Sequence, residues 1–274
     1  MMPLLARLPL RVLHALGGIL GWAMFLLSPA YRARLRANLA QAGFADAATR
    51  RAAIAEAGRM VAEAPKLWLR PRDEVMALVR RVEGLQAAAA ARKAGKGVVF
   101  LTPHYGCFEI TAHVVAEVGP LTALYRPARN ERLERMIQAG RARGNVTLAA
   151  ATLGGVRQLL AALKRSEAVG ILPDQVPAEG EGEWVEFFGR PAYTMTLAGK
   201  LAARADVAAF LVMGRRLPGG EGYEVHVTPL APARAGEPPA RRVNRALEEA
   251  IGEHPAQYLW GYNRYKRPPG APAP

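Results

Sequence analysis

The run Val98-Val-Phe-Leu101, set between Gly97 and Pro103, limits what this chain can become more than any other segment. Successive side chains of a strand point to opposite faces, so a short unbroken apolar run must be covered above and below. The expectation is a strand buried on both faces of a sheet that carries helices on each side. Pro103 ends the strand, and His104 opens a loop into a helix over 108–118.

The remaining chain repeats this alternation. Strands are predicted at 121–125, 168–172, 207–213 and 223–228, and helices at 130–143, 155–164, 196–205 and 241–253. Residues 32–85 read as two or three helices, with apolar side chains recurring every three or four positions, and a further helix follows over 85–93 to end at Gly95-Lys-Gly97. The predicted class is α/β, a central and mostly parallel sheet flanked by helices. Chemistry in such sheets collects beyond the ends of the strands.

The N-terminus has a different character. From Val12 to Ala30 there is no formally charged residue apart from a possible proton on His14. Residues 1–45 carry Arg7, Arg11, Arg32, Arg34 and Arg36 and no acid. The net charge of +14 favours anionic partners. Basic flanks on an apolar helix suit a phospholipid surface better than a nucleic-acid groove, and no nucleic-acid-binding signature accompanies them. The segment fits a helix lying in the membrane interface or half inserted, or a single span at the lower limit of length. A cleaved signal peptide fits less well, because no small-residue cleavage site precedes the arginines. Cys107 is the single cysteine, so no intrachain disulfide can form.

Thr102-Pro-His-Tyr-Gly-Cys-Phe-Glu109 holds the candidate chemistry. His104 and Glu109 cannot share a face of one helix. With His104 in the loop and Glu109 in the first helical turn, however, the carboxylate can fold back on the imidazole, and Gly106 gives the loop freedom to do so. A carboxylate on Nδ1 leaves Nε2 as a base for a hydroxyl proton. The spacing alone is a weak signal, and an isolated histidine at a strand end is more often structural.

Five blocks in order strengthen it. His104-Tyr-Gly-Cys-Phe-Glu109, Leu124-Tyr-Arg-Pro127, Gly170-Ile-Leu-Pro-Asp-Gln175, Val185-Glu-Phe-Phe-Gly-Arg-Pro-Ala-Tyr-Thr194 and Tyr258-Leu-Trp-Gly-Tyr-Asn-Arg-Tyr-Lys266 resemble the bacterial lipid A biosynthesis acyltransferases, with the wider His-x4-Asp/Glu glycerolipid acyltransferases as more distant relatives. The resemblance covers nearly the whole chain. It implies transfer of a fatty acyl group from acyl carrier protein or acyl-CoA to a hydroxyl of a lipid A precursor or related membrane lipid, without a covalent enzyme intermediate and without a cofactor. His104 then matches the general base and Glu109 its orienting acid, while Arg126, Asp174 and Gln175 match substrate-binding positions. Asp174 either pairs with Arg126 or binds a sugar hydroxyl. The implied organisation is a membrane-associated helix over 1–31, an acyltransferase domain over 32–267 and a flexible tail over 268–274. The implied place is the inner membrane, with the catalytic domain facing the cytoplasm. Relatives often carry Asn-Trp where this chain has Cys107-Phe108, and a His where it has Tyr262 or Asn263, which leaves the acceptor lipid open.

Other chemistries compete less well. A Cys107–His104 nucleophile is possible on paper, but a packed thiol is the simpler reading. The two serines, Ser28 and Ser166, sit in no Gly-x-Ser-x-Gly turn. His104, His113, His226 and His254 form no metal-binding spacing. A lysophospholipid or aminolipid acyltransferase, and a non-catalytic basic membrane-binding protein, stand as alternatives. Arg126, Arg129, Arg132 and Arg135 make a stripe that is either a solvated face or a docking surface for acidic protein or lipid phosphate.

Overall fold

The structure, a computed structural model, describes residues 2–274. In chain order the strands are β1 (Val79–Glu83), β2 (Gly97–Leu101), β3 (Leu121–Tyr125), β4 (Val146–Ala150), β5 (Ala168–Ile171), β6 (Gly182–Phe187), β7 (Arg190–Met195), β8 (Val207–Arg216) and β9 (Tyr223–Pro229). Seven of them form one sheet in the order β1-β9-β8-β2-β5-β3-β4, while β6 and β7 pair as a separate hairpin. Within the large sheet only the β8–β9 contact is antiparallel.

The helices are α1 (Met2–Arg7), α2 (Leu10–Leu27), α3 (Pro29–Gln41), α4 (Ala47–Leu69), α5 (Arg72–Met76), α6 (Leu85–Lys93), α7 (Phe108–Val115), α8 (Glu131–Arg141), α9 (Leu153–Lys164), α10 (Thr196–Ala202) and α11 (Pro239–Glu253). Strand β2 is central, and every one of its residues is buried. Its alternate side chains enter two different cores. Val99 and Leu101 join the cluster built with α9, α10 and α11, whereas Val98 and Phe100 join the one built with α6 and α7. The apolar run is thus covered on both faces, as strand periodicity requires.

Three sheet elements were hidden in the sequence. Residues 79–83, read as the end of a helix, form β1 at one edge of the sheet, and Arg80 and Arg81 are exposed there. A short charged edge strand carries no alternating apolar signal, because negative design at an edge replaces it with charge. Strand β4 is the opposite edge. The β6–β7 hairpin turns through Phe188 and Gly189, both at positive φ, 48° and 72°. That is the two-residue turn whose twist matches its strands.

Helices α2 and α4 lie antiparallel with their backbones in contact. A side chain on Gly17, Gly21 or Gly58 would strike the main chain of the opposite helix, so glycine at these three places permits the approach. The buried stripe of α2 comprises Leu10, Leu13, His14, Gly17, Gly21 and Phe25. Its outer face is apolar as well, with Ile19, Leu26 and Leu27 68%, 63% and 83% exposed. It is the one helix among the described residues long and apolar enough to cross a membrane, which is weak support for a membrane role. At the other terminus, the segment expected to be loose rests on the protein: Ala271 is buried, and the Trp184 indole donates to the Pro272 carbonyl over 2.8 Å.

Candidate active site

Strands β2 and β5 are parallel neighbours in register, with Leu101 opposite Ile171. Each is followed by one residue, a proline and a polar residue: Thr102-Pro103-His104 beside Leu172-Pro173-Asp174. Equal offsets from paired strand ends bring His104 and Asp174 side by side, although 70 positions separate them. The proline ends each ladder and the next side chain turns into the space beyond.

Asp174 grips His104 twice. Its Oδ2 accepts from the His104 main-chain N–H at 2.9 Å, and its Oδ1 lies 2.9 Å from Nδ1 of the ring. Burial pushes the Asp174 carboxyl up, but the charge of His104 and the hydrogen bonds from its ring and backbone outweigh this and hold it below its ordinary value. An ionised carboxylate only accepts, so in the neutral form of the ring the proton belongs on Nδ1 and Nε2 carries the lone pair. The Gln175 amide then donates to Nε2 over 3.1 Å. The backbone of the loop is held as well: the Leu259 N–H donates to the His104 carbonyl, and the Gly106 N–H to the Gln257 carbonyl.

The contact expected between His104 and Glu109 is not made. Glu109 stands in the first turn of α7 and faces α8, where Arg141 takes both carboxylate oxygens, one of them from Nε at 2.8 Å. A guanidinium fork matches a carboxylate in two-point contact, and Nδ1 of His104 is already occupied by Asp174. Asp174 is 2% exposed and both its oxygens engage His104, and its hydrogen bonds and ion pair do not include Arg126.

His104, Glu109, Arg126, Arg141 and Gln175 all line one cavity of about 320 Å³, between the β2-β5-β3-β4 part of the sheet and helices α7 and α8. The strands here are parallel, so residue number reports depth. Tyr125 and Arg126 lie at the carboxyl end with the polar groups, and Leu121 and Val146 lie at the start of β3 and β4. Between these ends Phe100, Ala112, Ala123 and Leu148 give an apolar wall. Four strand steps of ~3.3 Å make this channel about 13 Å long. His113 borders it and is buried, with Nδ1 unpartnered; burial first, then the charges of Arg143 and Arg72, depress its pKa to about 4. It is a neutral wall group at pH 7.

Cys107 does not border the cavity. Burial and the Glu63 carboxylate raise its thiol well above the ordinary range, which keeps it protonated and unreactive. Among the described residues no group of three or more His, Cys, Asp or Glu side chains is placed to hold a metal.

A histidine at the polar end of a largely apolar cavity is a layout able to activate a hydroxyl beside an aliphatic chain. The sequence profile described as bacterial lipid A biosynthesis acyltransferase matches residues 1–267. The chain belongs to that family. It is an acyltransferase. It is similar to the Escherichia coli (strain K12) lipid A biosynthesis palmitoleoyltransferase, 29% identical over 218 residues covering 77% of this chain and 69% of that one. It is also similar to the lauroyltransferase of the same organism, at 26% over 221 residues and 79% and 71% coverage. The E. coli myristoyltransferase is 24% identical over 186 residues, 65% and 56% of the two chains.

Proposed function

We propose that this acyltransferase moves a fatty acyl group from acyl carrier protein, or from acyl-CoA, to a hydroxyl of a lipid A precursor. The single observation that carries the reading is the His104–Asp174 pair at the polar end of the apolar channel. Nε2 of His104 takes the proton of the acceptor hydroxyl, and that oxygen attacks the thioester carbonyl. Asp174 holds the ring in the tautomer that makes Nε2 a base and stabilises the imidazolium that forms. Gln175 occupies Nε2 while no hydroxyl is bound, so the acceptor must displace its amide. The thiolate leaves with the proton that His104 has taken.

Glu109 serves the site through Arg141. The pair forms a charged strip of the cavity wall, and Arg126 supplies a second cation beside it for anionic parts of donor or acceptor. Arg126, Arg129, Arg132 and Arg135 are all exposed, which leaves them open to phosphates or acidic groups of the substrates.

The enzyme works on the cytoplasmic face of the inner membrane in this reading, and α2 lies in the plane of the interface. Were α2 to span, α4 would enter the hydrocarbon with it, since the two are in backbone contact. Residues Arg50, Arg51, Glu56, Arg59, Glu63 and Lys66 of α4 would then be immersed, at ~3 kcal/mol for each charge near the bilayer centre. An in-plane helix buries Ile19, Leu26 and Leu27 and leaves α4 in the protein.

The test is acyl transfer from acyl carrier protein to a lipid A precursor, followed by mass spectrometry. His104→Ala and Asp174→Asn are each expected to lower kcat by roughly 10²–10⁴-fold while leaving the fold intact. Wild-type turnover by Asp174→Asn would show that the ring is oriented by something else. Product with lysophospholipid and none with the lipid A precursor would replace the acceptor assignment.

A further inference from the structure

A second set of buried charges lies behind the catalytic loop, outside the cavity. Arg216 ends β8, and its guanidinium is buried. Nε donates to Oε2 of Glu63 at 2.9 Å and one terminal nitrogen to Oε1 at 2.6 Å, a two-point pair. The other terminal nitrogen reaches Glu56. Glu63 also accepts from the Tyr223 hydroxyl at 3.0 Å, and its Oε2 lies 3.0 Å from Nε2 of His14 on α2. Burial works against the Glu63 carboxylate, yet Arg216 and the hydrogen bond with His14 hold it below its ordinary value.

Such a pair is weak support for stability, because well-packed apolar residues of the same size often do as well or better. Arg216 has one contact that an apolar side chain cannot replace. Its Nη2 donates to the carbonyl of Gly106 at 2.9 Å, two residues beyond His104. Gly106 has φ +50°, and a side chain there would meet the main chain of Gly214 and the amide of Gln257. The Gln257 side chain in turn clasps the Arg216 main chain, accepting from its N–H and donating to its carbonyl, each at 2.8 Å. Alongside the main-chain bonds that hold this turn, the Arg216 guanidinium is the side chain that grips it from behind.

We propose that Arg216, held by Glu63, is a positioning residue for His104: its hydrogen bond to the Gly106 carbonyl sets the turn that presents Nε2 to the acceptor hydroxyl. His14 makes the seating of α2 part of the same arrangement, since it meets the carboxylate that holds Arg216. This rests on His104 being the base.

The double variant Arg216→Met/Glu63→Met removes the pair together and leaves no lone buried charge in either position. It is expected to fold, with kcat lowered about 10–100-fold and KM near wild type, the scale of a small misplacement of a catalytic group. Arg216→Lys keeps the charge, but its side chain is one bond shorter and lacks the planar fork, so its nitrogen falls short of the place where Nη2 bridges Glu63 and Gly106; the same fall in kcat is expected, and this variant decides the matter if the double variant does not fold. A wild-type kcat per folded molecule in the folded variant would overturn the inference and leave Arg216 a purely structural residue. Adding His104→Ala separates the two readings. If Arg216 acts through His104, the combined loss equals that of His104→Ala alone; additive losses would show that Arg216 acts elsewhere. If His104→Ala by itself retains full turnover, it is the assignment of the base that fails.

Discussion

His104 is held by what surrounds it, and the neighbouring residues can be tested one at a time. Glu109 and Arg141 form one unit, side-chain exposed by only 9% and 25%. Glu109→Gln and Arg141→Met are each expected to lower stability by roughly 3 kcal/mol, the scale for breaking a buried pair, and to be markedly non-additive when combined. Urea denaturation of the three variants gives the coupling directly, and simple additivity would mean the two groups act independently. His113 sets an acid limit. Its folded pKa of about 4 lies below the ordinary value of 6.5, so the unfolded chain binds its proton first as pH falls. The stability tied to its neutral form is whole above pH ~6.5 and declines as pH falls from there to about 4, by roughly 3 kcal/mol in all. His113→Leu should flatten that part of the stability profile, and an unchanged acid limb would place the sensitivity elsewhere.

Whole elements divide into those the sequence made legible and those it could not. Strands β2, β3 and β5 and helices α7, α8 and α9 were readable, because buried runs and amphipathic spacing are local signals. The place of His104 beyond the end of β2 was readable for the same reason. Its contact was not: choosing Asp174 over Glu109 needs the knowledge that β5 lies beside β2 in register, which no local pattern carries. The repeated form Thr-Pro-His and Leu-Pro-Asp after two buried strands was the available clue. Arg216 was hidden for a related reason, since its partners Glu63 and Gly106 are more than 100 residues away in the chain. The α2–α4 contact yields its own prediction. Gly58→Leu must push the helices apart, at a cost of about 1–3 kcal/mol or more, lowering the melting temperature by a few degrees per kcal/mol. A melting temperature equal to wild type would mean that the helices do not touch through their backbones.

At the scale of the whole molecule the question is how the protein meets the lipid that it acts on. Val12, Ile19 and Leu27 are all exposed along α2. Replaced singly by cysteine and labelled with an environment-sensitive dye, an in-plane helix places all three at one shallow depth in a bilayer. A spanning helix would place Ile19 deep and the other two near opposite surfaces. Depth-dependent quenching distinguishes these patterns. Binding to anionic vesicles is expected to weaken as salt rises, since Arg7, Arg11, Arg32, Arg34 and Arg36 surround the helix.

The matched prolines after β2 and β5 also bear on how the enzyme comes into being. His104 and the Asp174 carboxylate beside it are delivered by segments that meet only when two strands far apart in sequence have zipped in the correct alignment. A slip of one residue would turn alternate side chains to the wrong face and part the two groups. Such a distant pairing forms slowly compared with a helix. In refolding, helical signal should therefore return ahead of turnover, and the first acyl transfer marks the moment at which the middle of the sheet has closed.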